Sequence, residues 1–122
     1  MVAANPSMEN GGYIMESKFT IHKQLPQHLV PQTILINQQS DFAAVKKQLQ
    51  ASAIEYPFYC KPDIGGKGRG VMKVENEMQL QQYHNGTCIN YLVQAAIPFK
   101  NEIGVFYCRM PGASKGFISG IV

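Results

Sequence analysis

The residues best suited to chemistry form one basic, glycine-rich segment near the middle of the chain. A strand-like run ends at Lys61, and four glycines and two cations follow within residues 65–70. Glycine reaches positive φ without steric cost, so backbone N–H groups in such a loop can approach an oxyanion. Lysine and arginine beside them supply compensating charge. The segment therefore predicts phosphate binding. The residues concerned are Lys61, Gly65, Gly66, Lys67, Gly68, Arg69 and Gly70.

Two common phosphate loops do not fit this segment. Gly65 and Gly70 have the separation found in a P-loop, but Val71 stands where that motif requires lysine. The dinucleotide fingerprint, started at Gly66 and Gly68, fails at the same valine. Both motifs also lead into a helix, whereas a short β-branched run follows here. The pattern favours a loop between two strands that covers phosphate, and an ordinary hairpin with a basic turn stays open as the alternative.

Size and charge exclude several classes of protein. A chain of 122 residues that is 45% apolar is one small globular domain or part of a larger one. The net charge of +3 is mild and the cations are scattered, so nucleic acid is not an expected partner. No apolar segment approaches the length of a membrane span, and the N-terminus lacks the features of a signal peptide.

The cysteines and histidines do not indicate a metal centre. Three cysteines with no C-x-x-C pair predict reduced thiols and a cytoplasmic protein. Cys60 and Cys108 lie in apolar, strand-like runs, so both are expected to be buried. The histidines are isolated, and no zinc-ligand spacing is present.

Hydrophobic periodicity predicts how the segment is positioned. Phe58 and Cys60 alternate with Lys61, so the lysine is expected on the sheet face opposite to the core. Tyr91, Val93 and Phe106 are expected in the core. Before this strand, the pattern predicts an irregular lead-in over 1–15, a helix over 16–25, a strand over 33–36, and a helix over 41–52 capped by Ser40. After it, strands are expected at 71–74, 89–95, 102–109 and 116–122, with a helix from Asn76 to about Tyr83 that stops by Gly86.

This order of elements predicts an α+β fold with a mostly antiparallel sheet and two to three helices. The last strand-like run, residues 116–122, is apolar and has no polar cap or turn after it. We expect that residues 16–122 form one subdomain, truncated at its C-terminus.

The set of motifs in this order resembles the ATP-grasp superfamily, which includes D-alanine–D-alanine ligase-like enzymes and biotin carboxylase. The match runs over about residues 16–110. Lys61 and the glycine loop resemble the family's strand lysine and lid loop, and Lys18 resembles an upstream phosphate-binding lysine. Residues 91–97 resemble the hinge that holds adenine, although Gln94 stands where many relatives carry glutamate and Ala95 where many carry lysine.

The resemblance implies a nucleotide site. The glycine loop would close over the β- and γ-phosphates of ATP, and Lys18 and Lys61 would neutralise their charge. Gln94 and Ile97 would frame the purine, and Glu102 would accept hydrogen bonds from the ribose. In the family, ATP phosphorylates a carboxylate, and an amine or similar nucleophile then attacks the acylphosphate.

The resemblance also limits what this chain is expected to do alone. The family holds Mg²⁺ through acidic residues and an asparagine on a second subdomain, which lie outside this chain. Neither a catalytic residue nor a metal ligand is therefore expected within the chain, and the isolated chain is expected to be inactive. The alternative is a non-catalytic α+β module that pairs with a second copy through an exposed sheet.

Overall fold

The computed structural model describes residues 15–122, and within them it confirms an α+β fold with a mostly antiparallel sheet. Except for Met15, the expected lead-in lies outside the described residues. The elements are α1 (Lys18–Gln24), a 3-10 turn (Gln27–Leu29), β1 (Thr33–Ile36), α2 (Phe42–Ser52), β2 (Phe58–Pro62), β3 (Met72–Val74), α3 (Glu77–Gly86), β4 (Tyr91–Ala95), β5 (Val105–Cys108) and β6 (Phe117–Ile121). None of the helices in residues 15–122 is long and apolar enough to cross a membrane.

The caps of two helices show one correct and one wrong prediction. Asn76 caps α3 as expected. The cap of α2 is Asp41, whose Oδ1 accepts from the backbone N–H of Ala44 at 2.7 Å, and the prediction of Ser40 was wrong. The carbonyl of Ser40 instead accepts from Nε2 of buried His84 at 2.8 Å. Both residues are good capping types, so residue type alone does not distinguish between them.

Four strands form the main sheet in the order β1-β4-β2-β3, with every pair antiparallel. Side chains alternate between its two faces. The first, which we call the core face, packs against α2 and α3. The core cluster consists of Ile36, Val45, Leu49, Ile54, Phe58, Cys60, Val74, Leu80, Tyr91 and Val93. This cluster confirms that Cys60, Tyr91 and Val93 are buried.

The opposite side, which we call the second face, carries the polar residues of the sheet. Lys61 lies on it, as the alternation with buried Phe58 predicted. The register places Gln94 of β4 between Thr33 of β1 and Tyr59 of β2. Three neighbouring strands therefore each present a polar side chain to this face.

The last two strands form a separate hairpin that does not join the core. All four residues of β5 are exposed, and Phe106 is 58% exposed, so the prediction that Phe106 belongs to the core was wrong. Cys108 is also exposed, contrary to expectation. The strand begins at Val105, which leaves Glu102 in irregular chain before it. The apolar pattern identified strands here, but burial also requires a second layer to pack against.

Candidate functional site

A cavity of about 530 Å³ lies on the second face of the sheet, and we call it the lysine cavity. It brings together four residues that the sequence singled out, at positions 61, 94, 97 and 102. They meet because β2 pairs with β4 and because residues that follow β4 line the same cavity. The residues that line the cavity are Tyr59, Lys61, Val71, Gln94, Ala95, Ile97, Phe99, Asn101, Glu102 and Ile103.

Hydrogen bonds fix the position of the Lys61 side chain. Its Nζ donates to Oε1 of Gln94. The amide nitrogen Nε2 of Gln94 donates to Oγ1 of Thr33 at 2.9 Å. That hydroxyl in turn donates to the carbonyl oxygen of Pro31, also at 2.9 Å. The ammonium therefore belongs to a continuous polar chain that crosses three strands.

Lys61 forms no ion pair with a carboxylate of the described residues. Neither of the ion pairs formed within residues 15–122 involves Lys61 or Lys18. Burial lowers the pKa of Lys61 below the usual value for lysine, and the positive charge of nearby Lys18 lowers it further. A half-buried ammonium with this environment gains stability when an anion enters the cavity.

Lys18 is engaged with the backbone at the start of the glycine loop. Its Nζ donates to the carbonyl oxygens of Pro62 at 3.0 Å, Asp63 at 3.3 Å and Gly65 at 2.7 Å. These bonds use the three donors of the ammonium group. A direct bond from Lys18 to a phosphate would therefore replace one of these bonds.

Asp63 is a structural residue of the site that the sequence reasoning missed. It is only 8% exposed, and its Oδ1 accepts from Ser17 Oγ and from the backbone N–H of Phe19, both at 3.0 Å. Its own backbone N–H donates to the carbonyl of Asn90 at 3.0 Å. The bonds from Ser17 and Phe19 fasten the start of α1 to the end of β2, and the bond to Asn90 fastens it to the residue before β4. The signal that could have revealed it is an acidic residue immediately after a strand.

The glycine loop lines a neighbouring cavity of about 540 Å³, which we call the loop groove. The lysine cavity and the loop groove share no lining residue, but they adjoin along the chain at Lys61–Pro62 and at Gly70–Val71. The structure therefore distributes the sequence-predicted residues over two adjacent spaces. Gly68 belongs to the loop but lines neither of them. The predicted residues that line the loop groove are Gly65, Gly66, Lys67, Arg69 and Gly70.

The backbone of the loop has the features expected of an anion cover. Positive φ occurs at Gly65, Gly68 and Gly70, and also at Lys67, where φ is 58°. Within the described chain, the N–H groups of residues 65–68 donate to no acceptor, whereas that of Arg69 donates to Gly66 O at 3.3 Å. These four donors are free to bond with water or with a ligand.

Tyr83 holds the far end of the glycine loop, and the sequence analysis did not identify it. Its hydroxyl donates to the carbonyl oxygen of Gly70 at 2.7 Å. Burial raises the pKa of Tyr83 to about 12, so the hydroxyl keeps its proton at neutral pH. The loop is thus fastened at its start by Lys18 and at its end by Tyr83, and the tip between them carries the free N–H groups.

Comparison of the chain with protein-family models found no match, and comparison with curated proteins found no significant match. The geometry therefore carries the functional argument. Among residues 15–122, no group of three or more His, Cys, Asp or Glu side chains is arranged to hold a metal ion.

Proposed function

We propose that this chain binds ATP and forms the lid portion of an ATP-grasp ligase. The observation that carries the proposal is the setting of Lys61. Its half-buried ammonium forms no ion pair with any carboxylate of residues 15–122 and shares a cavity with Gln94, Ile97 and Glu102. The glycine loop, whose residues line the loop groove, carries backbone donors with no acceptor among residues 15–122. The lysine cavity offers a cation beside an apolar and an acidic surface, and the loop offers further donors for phosphate.

The chemistry of the two cavities suits the parts of a nucleotide. The phosphate groups would extend from Lys61 toward the N–H groups of residues 65–68. Each charge-assisted hydrogen bond of this kind contributes about 1.5–3 kcal/mol. Exposed apolar side chains at Ile97 and Phe99 offer a surface for the purine. The carboxylate of Glu102 can accept from ribose hydroxyls.

The activity proposed for the whole ligase is activation of a carboxylate. The terminal phosphoryl group of ATP passes to a carboxylate oxygen, and the products are ADP and an acylphosphate. An amine or similar nucleophile then displaces phosphate. We assign only nucleotide binding to the residues described here, and in the proposed ligase Mg²⁺ would be held by a second subdomain outside this chain. The three free cysteines agree with the cytoplasm as the proposed compartment.

Calorimetric titration with ATP tests this proposal. In Lys61→Ala the ATP affinity should fall at least tenfold, because about 1.4 kcal/mol corresponds to a factor of ten. Lys47→Ala is the matched control, since Lys47 is an exposed lysine of α2, and its affinity should equal that of the unaltered chain. Equal affinities in both variants would contradict the proposal.

A second candidate function is self-association through the hairpin, in which the partner is another copy of this chain. The observation that favours it is the exposed apolar surface of β5 and β6, which includes Phe106, Phe117 and Ile118. Sedimentation velocity over a hundredfold range of concentration tests it. A dimer that dissociates in Ile118→Ser would support this function, and a monomer at the highest concentration would remove it.

A further inference from the structure

The polar chain from Pro31 to Lys61 has a direction that chemistry imposes. The carbonyl of Pro31 can only accept, so the single hydroxyl proton of Thr33 is committed to it. Oγ1 of Thr33 must then accept from its other neighbour, which requires that the NH₂ end of the Gln94 amide face it. The carbonyl end of the same amide consequently faces Lys61.

The position of this amide determines where the ammonium lies. Gln94 pairs with Tyr59 in the sheet register, and Lys61 is two residues further along β2 on the same face. It is therefore a diagonal neighbour of Gln94, at a separation that a long side chain can cross. To reach Oε1 of Gln94, the Lys61 side chain must turn back along the sheet, toward the end of β4. The hydrogen bond thus holds the charge inside the lysine cavity.

We propose that Thr33 and Gln94 are positioning residues that hold the Lys61 ammonium in the lysine cavity, where it meets an anionic group of the ligand. That this group is a phosphate of ATP rests on the proposed function. The role given to Gln94 differs from the purine contact that the family resemblance implies. An amide suits this role because it is neutral, and it orients the ammonium without cancelling the charge that attracts the anion.

Two substitutions test separately the charge beside Lys61 and the orientation of the Gln94 amide that holds it. Gln94→Glu keeps the shape of the side chain but places a carboxylate against Lys61. Thr33→Val keeps the shape of the threonine but removes the hydroxyl, so the amide of Gln94 can rotate. Thr33→Ser restores the hydroxyl and is the matched control. Circular dichroism and the urea unfolding midpoint of each variant establish that it is folded.

The first readout does not require a nucleotide. The pKa of Lys61 is followed by NMR in lysine-labelled protein, with Lys61→Ala used to assign its signal. In Gln94→Glu this pKa should rise by about one unit or more, because an opposite charge within hydrogen-bonding distance favours the ammonium form. An unchanged Lys61 pKa in folded Gln94→Glu would overturn the proposal.

The second readout is the affinity for inorganic tripolyphosphate, which has no base or ribose. We expect about tenfold weaker binding in Gln94→Glu, about threefold weaker binding in Thr33→Val, and unaltered binding in Thr33→Ser. Equal affinities of Thr33→Val and Thr33→Ser would overturn the assignment of Thr33.

The two readouts distinguish failure of this inference from failure of the proposed function. If the unaltered chain binds tripolyphosphate but not ATP, the nucleotide assignment fails, and these expected changes with tripolyphosphate still support the positioning role. If it binds neither anion, the proposed function fails and so does the anion-directed role of Thr33 and Gln94. If ATP binds and the Lys61 pKa is the same in Gln94→Glu as in the unaltered chain, only the positioning role of Thr33 and Gln94 fails.

Discussion

The lysine cavity and the loop groove are lined by neighbouring segments of the chain, but they are built in different ways. In the lysine cavity, Lys61, Gln94 and Thr33 project from paired strands and are linked by hydrogen bonds. In the glycine loop that lines the loop groove, four residues have positive φ, and the donors at positions 65–68 have no acceptor within the described chain. The strands therefore hold the side chains of the proposed anion subsite in place before any ligand is present.

This difference has an energetic consequence for binding. Fixing the backbone of one residue costs about 1–2 kcal/mol, so any ordering of the loop tip on a ligand reduces the net gain from its contacts. The lysine cavity avoids this cost because its side chains are already held. Groups on the strands should therefore contribute more to affinity than side chains at the tip of the loop.

The largest expected contrast is in the reactivity of the cysteines. Burial raises the pKa of Cys60 to about 12, and Cys60 lies on β2 next to Lys61. Cys88 and Cys108 are exposed. At pH 8, iodoacetamide should label Cys60 at least a hundredfold more slowly than the other two, because the thiolate is the reactive form. Mass spectrometry of the labelled peptides measures the rates. Equal rates would show that the strands of the lysine cavity open readily.

The same raised pKa makes stability depend on pH. The folded state keeps the proton on Cys60 more strongly than the unfolded chain does, so this stabilisation is present below about pH 9 and is lost as the pH rises toward 12. The urea midpoint should therefore fall between pH 9 and the highest pH measured. A smaller fall of the urea midpoint in Cys60→Ala would confirm that ionisation of Cys60 causes the pH dependence. An identical fall would exclude this cause.

Gly70→Ala should destabilise the end of the loop by about 2–4 kcal/mol. Its φ is +73°, and a Cβ there would lie 2.7 Å from Cγ of Pro62, so backbone strain and overpacking both contribute. Gly66→Ala is the matched control, since a Cβ at Gly66 meets open space. Urea denaturation measures both variants. Equal stabilities would mean that the loop does not depend on this close approach.

Tyr83→Phe should cost about 1 kcal/mol, the usual net contribution of one hydrogen bond. The substitution removes the hydroxyl that donates to Gly70 and keeps the ring. Hydrogen exchange of the amides at residues 65–70 measures the local effect, and their exchange should become faster. Unaltered exchange in the variant would show that Lys18 alone is sufficient to fasten the loop.

Arg69→Ala should have the smallest effect, a reduction of about threefold in ATP affinity. Arg69 is an exposed residue at the loop tip, where its attraction to phosphate is weakened by water and salt. Titration at 50 and 300 mM salt measures this contribution, which should shrink at the higher salt. A loss as large as that of Lys61→Ala would reverse the ranking of the two cavities.

Local sequence pattern predicted the strands that carry the site better than the hydrogen bonds between its residues. Alternation along β2 placed Lys61 on the correct face, because burial of Phe58 and Cys60 fixes the phase of the strand. The family resemblance grouped Lys61 with Gln94 and Glu102, and the structure brings these residues to one cavity. Neither pattern nor resemblance revealed that Gln94 contacts Lys61.

What the sequence did not reveal depends on contacts between distant residues. Thr33 and Gln94 are 61 positions apart, and only the register of β1 against β4 brings them together. Tyr83 acts through a backbone carbonyl, which any residue could supply. The exposure of the β5–β6 hairpin likewise depends on which layers pack together, and strand periodicity carries no information about that.

The most direct test of the central claim is an NMR titration of the lysine side chains with ATP. We expect that the Lys61 signal shifts and saturates, and that its pKa rises, because a bound polyphosphate favours the ammonium form. The Lys47 signal should not move. If ATP binds and the Lys61 signal stays in place, or if ATP does not bind at all, the assignment of this cavity to a nucleotide is contradicted.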